Sequence, residues 1–491
     1  MRGLIEQIRD AAERHASRIA HASGDREITY GELWQRAEAL AGWLHGHAGP
    51  RDGPVIIRGR KEPEMLIGFL GAALSGRAYV PVDAALPEAR LASIISAAKP
   101  ALTIDVADVA AFSHGSHHHR SRMEAGSPGD APFYILFTSG STGEPKGVVI
   151  THACLASFVR WQHAEHRFEH GAEIILNQAP FTFDLSVMDI YTSLTCGGTI
   201  VSLGGDELAN PRTMFGRLRT SGITTWVSTP SFAGMCLVEK GFDETMIPSV
   251  RRFWFCGETL PHRTAAALLQ RFPRAEVWNT YGPTEATVAT TSVRIDAGIL
   301  DAHDPLPIGR AMPGTRVEVR AADGRRCTEG ESGELVIIGP NVSPGYLGAS
   351  HLNPGSFFVE DGLRGYHTGD RGRETGGYLF FDGRMDSQVK VRGFRIELGD
   401  VESHLRGVNG VVDAVVLPVQ RRGVNESLAA FVILSRRDHG DDFVQAQAIR
   451  GALAERLPDY MLPRRLEFVP SFPLTANGKA DRRALAARLH P

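Results

Sequence analysis

The apolar run FYILFT (Phe133–Thr138) empties directly into SGSTGEPKG, a loop of glycines and hydroxyls around one lysine, Lys146. A short apolar run bounded by glycine reads as a buried strand. Bare backbone N–H groups in such a loop can approach an anion closely, so the loop reads as a phosphate holder. It is not the G-x-x-x-x-G-K-[ST] loop of ordinary NTPases, because Gly147 follows Lys146 where a Ser or Thr would hold Mg²⁺. The next segment, THACLASFVRWQHAEHRF, reads as a helix. Strand, loop and helix then recur through ITTWVSTPS, RRFWFCGE and AEVWNTYGPTEATV. That alternation restricts the chain to an α/β architecture with mixed or parallel sheets.

At 491 residues the chain is too long for one ordinary core. EMLIGFLGAALSGRAYVPVD (Glu64–Asp83) predicts an apolar helix, a glycine break and a short strand, and SGELVIIGPNVSPGYLG opens a strand-rich section. From Ser387 the pattern changes to that of a small α+β domain. It predicts a strand over 388–392, a helix over 398–405, strands over 411–416 and 427–435, then helix, strand and helix. Ala446, Ile449 and Leu453 make one apolar stripe on the penultimate helix, which Asp441 and Asp442 can cap. The expected division is a large multi-sheet N-terminal domain, 1–385, and a mobile C-terminal domain, 386–491, joined by a hinge. The His run 117–119 lies in a polar Gly/Pro/Ser-rich stretch and reads as a solvated loop. His163 and His166, three apart on a predicted helix, read as surface residues.

The 53 basic and 56 acidic residues give a net charge of -3. That argues against a nucleic-acid-binding face spread over the protein. Cys154, Cys196, Cys236, Cys256 and Cys327 are scattered, with no metal-ligand spacing, and read as reduced thiols. No apolar run approaches the ~18 residues of a membrane span. The charged N-terminal segment reads as a surface helix with Leu4, Ile5, Ile8 and Ala12 on one side, not as a signal peptide, so a cytoplasmic location is expected.

Five further segments carry candidate chemistry: FTFDLSVMDIY, NTYGPTEATV, YHTGD, GRMDSQVKVRGFRIE and PLTANGKADRR. Each alone has a plain reading. Gly-Pro marks a turn, ANGK suits a hairpin turn, and Asp184 or Asp370 could cap a helix. Together and in this order, with ITYGEL and AYVPVD upstream, they resemble the adenylate-forming enzymes. That superfamily holds acyl-CoA synthetases, luciferases and nonribosomal peptide synthetase adenylation domains. NQAPFTFDLSVMDIY, STPSFAGMCL, FCGETLP and NTYGPTEATVA resemble most the stand-alone ligases that load D-alanine onto a carrier protein.

The resemblance implies an ATP-dependent, AMP-forming ligase. The loop Thr138, Ser139, Gly140, Ser141, Thr142, Gly143 and Lys146 would hold the β- and γ-phosphates of ATP, with Thr138 and Ser139 in direct contact. In the segment Asn279, Thr280, Tyr281, Gly282, Pro283 and Thr284, Tyr281 would stack on adenine and Asn279 would face its edge. Thr284 would touch the α-phosphate, and Glu285 would ligate Mg²⁺. Asp370 would accept the ribose hydroxyls, with Phe381, Asp382, Gly383 and Arg384 along that edge. Lys479 would be the catalytic residue, stabilising negative charge at the reacting oxygens. Asp184 would pair with a substrate α-ammonium. Leu185, Met188, Pro230, Cys256, Thr280 and Val288 would line a pocket for a small side chain, with Lys479 on the carboxylate. Asp386 matches the hinge. No carrier motif follows Lys479, so the phosphopantetheine-bearing carrier is expected to be a separate protein. Three alternatives stay open. They are an adenylation enzyme loading a different small amino acid for natural-product biosynthesis, a carboxylic acid–CoA ligase, and an inactive carrier-binding homologue.

Overall fold

The computed structural model describes residues 3–48, 53–113, 129–139, 144–348, 355–421, 424–435, 442–474 and 480–489. The chain packs as two compact units. The first comprises Met1–Ala84, Ala98–Phe137 and Gly147–Met385, and the second Ala85–Ala97, Thr138–Lys146 and Asp386–Pro491.

The first unit is α/β and carries three sheets. A nine-stranded sheet has a parallel centre, in which Ile174–Asn177, Thr225–Ser228, Arg252–Phe255 and Glu276–Tyr281 lie side by side. Antiparallel strands close both its edges. The central strands are buried on both faces and read as near-continuous apolar runs, as parallel strands covered by helices must. A six-stranded sheet includes Val55–Gly59, Tyr79–Asp83 and the predicted strand Pro132–Thr138. A five-stranded antiparallel sheet is built around Gly333–Ile338 and Leu363–Thr375.

Local sequence signals set the helix starts. Thr29 accepts from Glu32 N at 3.2 Å while the Glu32 carboxylate accepts from Thr29 N at 3.0 Å, a capping box opening Tyr30–His47. Pro63 occupies the first turn of Pro63–Leu74, where its missing N–H costs nothing. That helix and Leu185–Cys196 are buried along their whole length; the first is almost wholly apolar, as a fully buried helix usually is, whereas the second also encloses Asp189 and several hydroxyls.

The helix His152–His166 forms as predicted, but its histidines are not surface residues. His166 is 6% exposed and accepts from Trp254 Nε1 at Nδ1, 3.3 Å away. His163 is half-buried, with Nε2 2.7 Å from Thr195 Oγ1. Burial pushes the pKa of both rings down, that of His163 to about 4. Spacing along one helix could not reveal that two tryptophans from a distant sheet would close over it.

The second unit has its own apolar core around Val401, Leu405, Val416, Val432 and Leu453. The strand expected over 388–392 is one arm of a hairpin, Gln388–Val391 with Phe394–Glu397. Its turn is Arg392 (φ 52°) and Gly393 (φ 87°). Two consecutive left-handed residues are what a tight hairpin turn requires, but arginine in the first position hides the signal. The following strands run longer than expected, over Val411–Arg421 and Val424–Leu434, and pair with each other. Arg90 and Asp400, both buried, form an ion pair at 3.3 Å within this unit. Among the described residues no helix is long and apolar enough to cross a membrane.

Candidate active site

Strand register assembles the site. Ser228, Phe255 and Asn279 are neighbours across three adjacent parallel strands. Cys256 and Thr280 come next on their strands and Pro230 two residues on from Ser228, so all three lie at or near the carboxyl ends of those strands. In open α/β sheets ligands bind at that edge. Thr280 Oγ1 donates to Phe255 O at 2.8 Å, so its hydroxyl ties two strands together. Cys256 is 3% exposed, with its thiol 3.5 Å from Val288 O. Leu185, Met188, Cys256 and Val288 belong to one buried cluster, and Pro230 is buried at the start of its own helix. Sequence reading named these as pocket-lining residues; among them the structure sets Cys256 directly against Val288.

Asp184 begins the buried helix Leu185–Cys196, but its side chain makes no cap hydrogen bond. It accepts from Thr284 Oγ1 at 2.6 Å instead. The capping alternative therefore does not describe what this carboxylate does. Thr284 and Glu285 sit in the short helical turn after Tyr281. Gly282 permits that turn: a Cβ there would lie 2.6 Å from Ala289 Cα. Glu285 is 1% exposed and accepts from Tyr346 Oη at 2.9 Å.

Asp370 lies mid-strand, which removes the helix-cap alternative for it too. Its two oxygens accept from Tyr281 Oη and from Arg384, each at 2.6 Å. Burial, followed by the Asp370 charge, pushes the Tyr281 phenol pKa well up, so the hydroxyl remains a donor. Arg384 also donates to Thr368 O at 3.1 Å. Phe381 lies 6.2 Å from Tyr281 between ring centroids. Asp382 is exposed and paired with Arg373. Asn279 is buried, with Nδ2 donating to Pro307 O at 2.7 Å.

In the second unit, Ser139 Oγ donates to Arg395 O at 3.1 Å and accepts from Glu397 N at 3.0 Å. Thr138 Oγ1 donates to Lys146 O at 3.5 Å. Both hydroxyls would have to exchange partners to hold a phosphate. Asp386 Oδ1 accepts from Gln388 N at 3.0 Å. Gly140, Ser141, Thr142, Gly143, Lys479 and His117–His119 lie outside the described residues.

Residues 8–347 match the AMP-binding enzyme family and residues 400–479 the AMP-binding enzyme C-terminal domain. The chain belongs to the AMP-binding enzyme family. This AMP-binding enzyme is 41% identical, over 99% of both chains, to a D-alanine--D-alanyl carrier protein ligase of Bacillus cytotoxicus. Its fold is similar to the Vibrio cholerae adenylation domain AlmE in complex with glycyl-adenosine-5′-phosphate. The TM-score is 0.87 at 22% identity, covering 99% of this chain and 97% of that one. It is also similar to a holo NRPS protein containing adenylation and PCP domains, bound to a vinylsulfonamide inhibitor. There the TM-score is 0.82 at 28% identity, covering 99% of this chain and 84% of that one.

Sequence reading missed three parts of this AMP-binding enzyme's site. Tyr346 holds Glu285. Tyr134 is fully buried with its hydroxyl unpartnered among the described residues, and burial above all, then Tyr79 and the Asp184 charge, raises its pKa. The third is a buried polar chain behind the Asp184 helix. Ser202 Oγ donates to Asn177 Oδ1 at 2.8 Å, and Asn177 Nδ2 donates to Asp189 Oδ2 at 3.0 Å. Lys61 Nζ donates to the carbonyls of Asn177 and Gln178 at 3.1 and 2.8 Å. Ser202 spends its proton on Asn177, so His21 Nε2, 2.9 Å away, must donate to Ser202 Oγ. No motif flags such a chain, because its members come from five separate segments.

Proposed function

We propose that this chain activates a small amino acid, D-alanine, with ATP and passes it to the phosphopantetheine thiol of a separate carrier protein. The observation that carries the reading is the Asp184 carboxylate, held by Thr284 at the head of the buried helix that carries Leu185 and Met188. A carboxylate there can pair with an α-ammonium, while bulky Leu185 and Met188 leave room for a small side chain. A carboxylic acid–CoA ligase has no amine for Asp184 to meet. The name of the 41% identical relative supports D-alanine and a carrier protein.

In the first step a substrate carboxylate oxygen attacks the α-phosphorus of ATP. The bond to the β-phosphate oxygen breaks, pyrophosphate leaves, and aminoacyl-AMP forms. In the second, the carrier thiol loses its proton, its sulfur attacks the acyl carbon, and AMP departs with the electrons of the broken C–O bond. Asp184 orients the ammonium, and Asp370 accepts ribose hydroxyls with Tyr281 and Arg384 holding its plane. Tyr281 faces the adenine with Asn279 at its edge, Thr284 meets the α-phosphate, and Phe381, Asp382 and Gly383 border the ribose. The loop 138–146 grips the β- and γ-phosphates, and Lys479 stabilises charge at the reacting oxygens. The division into 1–385 and 386–491, with Asp386 as the hinge, fits two steps served by two domain orientations. A cytoplasmic location fits the need for ATP.

A hard divalent cation takes oxygen ligands and is commonly held by one or two carboxylates plus phosphate oxygens. Glu285 suits that arrangement: its carboxylate is buried and aligned by Tyr346, and the described residues hold no larger cluster of metal-ligand type. Glu285 would hold Mg²⁺, which supplies charge neutralisation on the phosphates.

The test is amino-acid-dependent ATP–pyrophosphate exchange across a panel of D- and L-amino acids. D-alanine should be preferred, and Cys256→Ala should gain activity with L-alanine if the sulfur sets handedness. Lys479→Ala should lose about two orders of magnitude in exchange yet still transfer from supplied aminoacyl-AMP. Exchange driven by no amino acid would refute the reading.

A further inference from the structure

Two consecutive β-branched residues, Thr287 and Val288, adopt left-handed backbone, with φ of 57° and 68°. Such residues rarely enter this region, and they persist there only when their surroundings hold them. The surroundings are one side chain deep. Asn341 is fully buried, and Nδ2 donates to Ala286 O at 2.8 Å and to Thr290 Oγ1 at 3.1 Å. Its Oδ1 accepts from Thr315 Oγ1 at 2.8 Å, and its own carbonyl accepts from Thr287 Oγ1 at 2.7 Å. Asn341 thus brackets the strained pair from both ends. Gly339 lets this happen: a Cβ there would lie 2.3 Å from Thr315 Oγ1.

The strained turn carries Val288, whose carbonyl meets the Cys256 thiol. Its neighbour Glu285 is held separately. Ser343 N donates to Glu285 O at 2.8 Å, and Tyr346 aligns the carboxylate. The two halves of one loop are therefore held by different residues of the segment 341–346. We propose that Asn341 is a positioning residue for amino-acid recognition, a clamp on the Thr287–Val288 turn that fixes the pocket wall at Val288 and Cys256. This rests on the amino-acid-activating reading above.

The test is pyrophosphate exchange by the full-length protein, varying D-alanine, L-alanine and ATP in turn, with melting temperatures recorded alongside. Asn341→Ala should raise KM for D-alanine about tenfold, the size of one released backbone strain, and lower the D-to-L ratio. KM for ATP should move less than about threefold, because Glu285 keeps its own supports. Glycine adopts left-handed backbone without strain. Adding Thr287→Gly to Asn341→Ala should therefore recover part of the lost D-alanine affinity. Thr315→Val, which removes one bond to Asn341 at constant shape, should shift KM for D-alanine in the same direction by less, and it decides the matter if Asn341→Ala does not fold. An unchanged KM for D-alanine, equal shifts for D-alanine and ATP, or no recovery in the double variant would overturn the proposal. A wild type that exchanges with no amino acid would overturn the underlying reading instead.

Discussion

Asp184 and Asp189 stand at the first turn and the middle of the same buried helix, yet they live in different chemistry. Asp184 is partly exposed at the edge where three strands end and accepts a hydroxyl proton from Thr284. Asp189 is fully buried, bound by Asn177 and near the Lys61 charge. Burial drives the Asp189 pKa well up and that of Lys61 down to about 7. A carboxylate at the strand ends can meet a ligand. One locked inside can only hold the protein together. The helix supplies both roles because its first residue reaches the rim while its middle is enclosed.

The largest effect that could break this comparison comes from Asp184→Ala. It should lower kcat/KM for the amino acid about a hundredfold, the cost of stranding a buried ammonium, with little change in melting temperature. A large loss of stability with unchanged kinetics would make Asp184 structural as well. Asp189→Ala should do the reverse. Urea unfolding should read a loss of about 2–3 kcal/mol as Asn177 loses its acceptor and a cavity opens in the helix, while KM for the amino acid stays near wild type. Asp189→Asn, which keeps an acceptor for Asn177, should cost less.

The smallest effect is expected in acid, at the far end of the Asp189 chain. Burial, then the positive charges of Lys61, Arg217 and Arg26, hold His21 to about 3, against 6.5 in the unfolded chain. Its contribution to stability is therefore complete above pH 6.5 and falls as pH drops toward 3. His21→Gln cannot titrate and should flatten that decline by about 1 kcal/mol between pH 6 and 5. Denaturant midpoints at pH 7, 6 and 5 read it directly. A steeper decline in the variant would mean that His21 accepts its proton in the folded state.

Much of the architecture was legible because it is local. The strand Pro132–Thr138, the glycine break after Pro63–Leu74 and the helix Asp442–Ala454 each follow from a few neighbouring residues. The hairpin at Arg392–Gly393 was not, since arginine rarely announces a left-handed turn. Asp184, Cys256 and Val288 were named from ordered motifs, but their contacts, Asp184 with Thr284 and Cys256 with Val288, join segments far apart in sequence.

The sequence by itself determined the α/β class, the family resemblance and the residue types the chemistry needs, because periodicity and motifs are written along the chain. Tertiary structure alone decided which carboxylate is enclosed and which stays partly exposed, which histidines are buried, and what holds the strained Thr287–Val288 turn. Those outcomes depend on burial and on partners far away in sequence: Thr284 for Asp184, Trp254 for His166, Asn341 for Thr287. The free energy of a buried polar group is set by the partner that folding brings to it, and no local pattern encodes that partner.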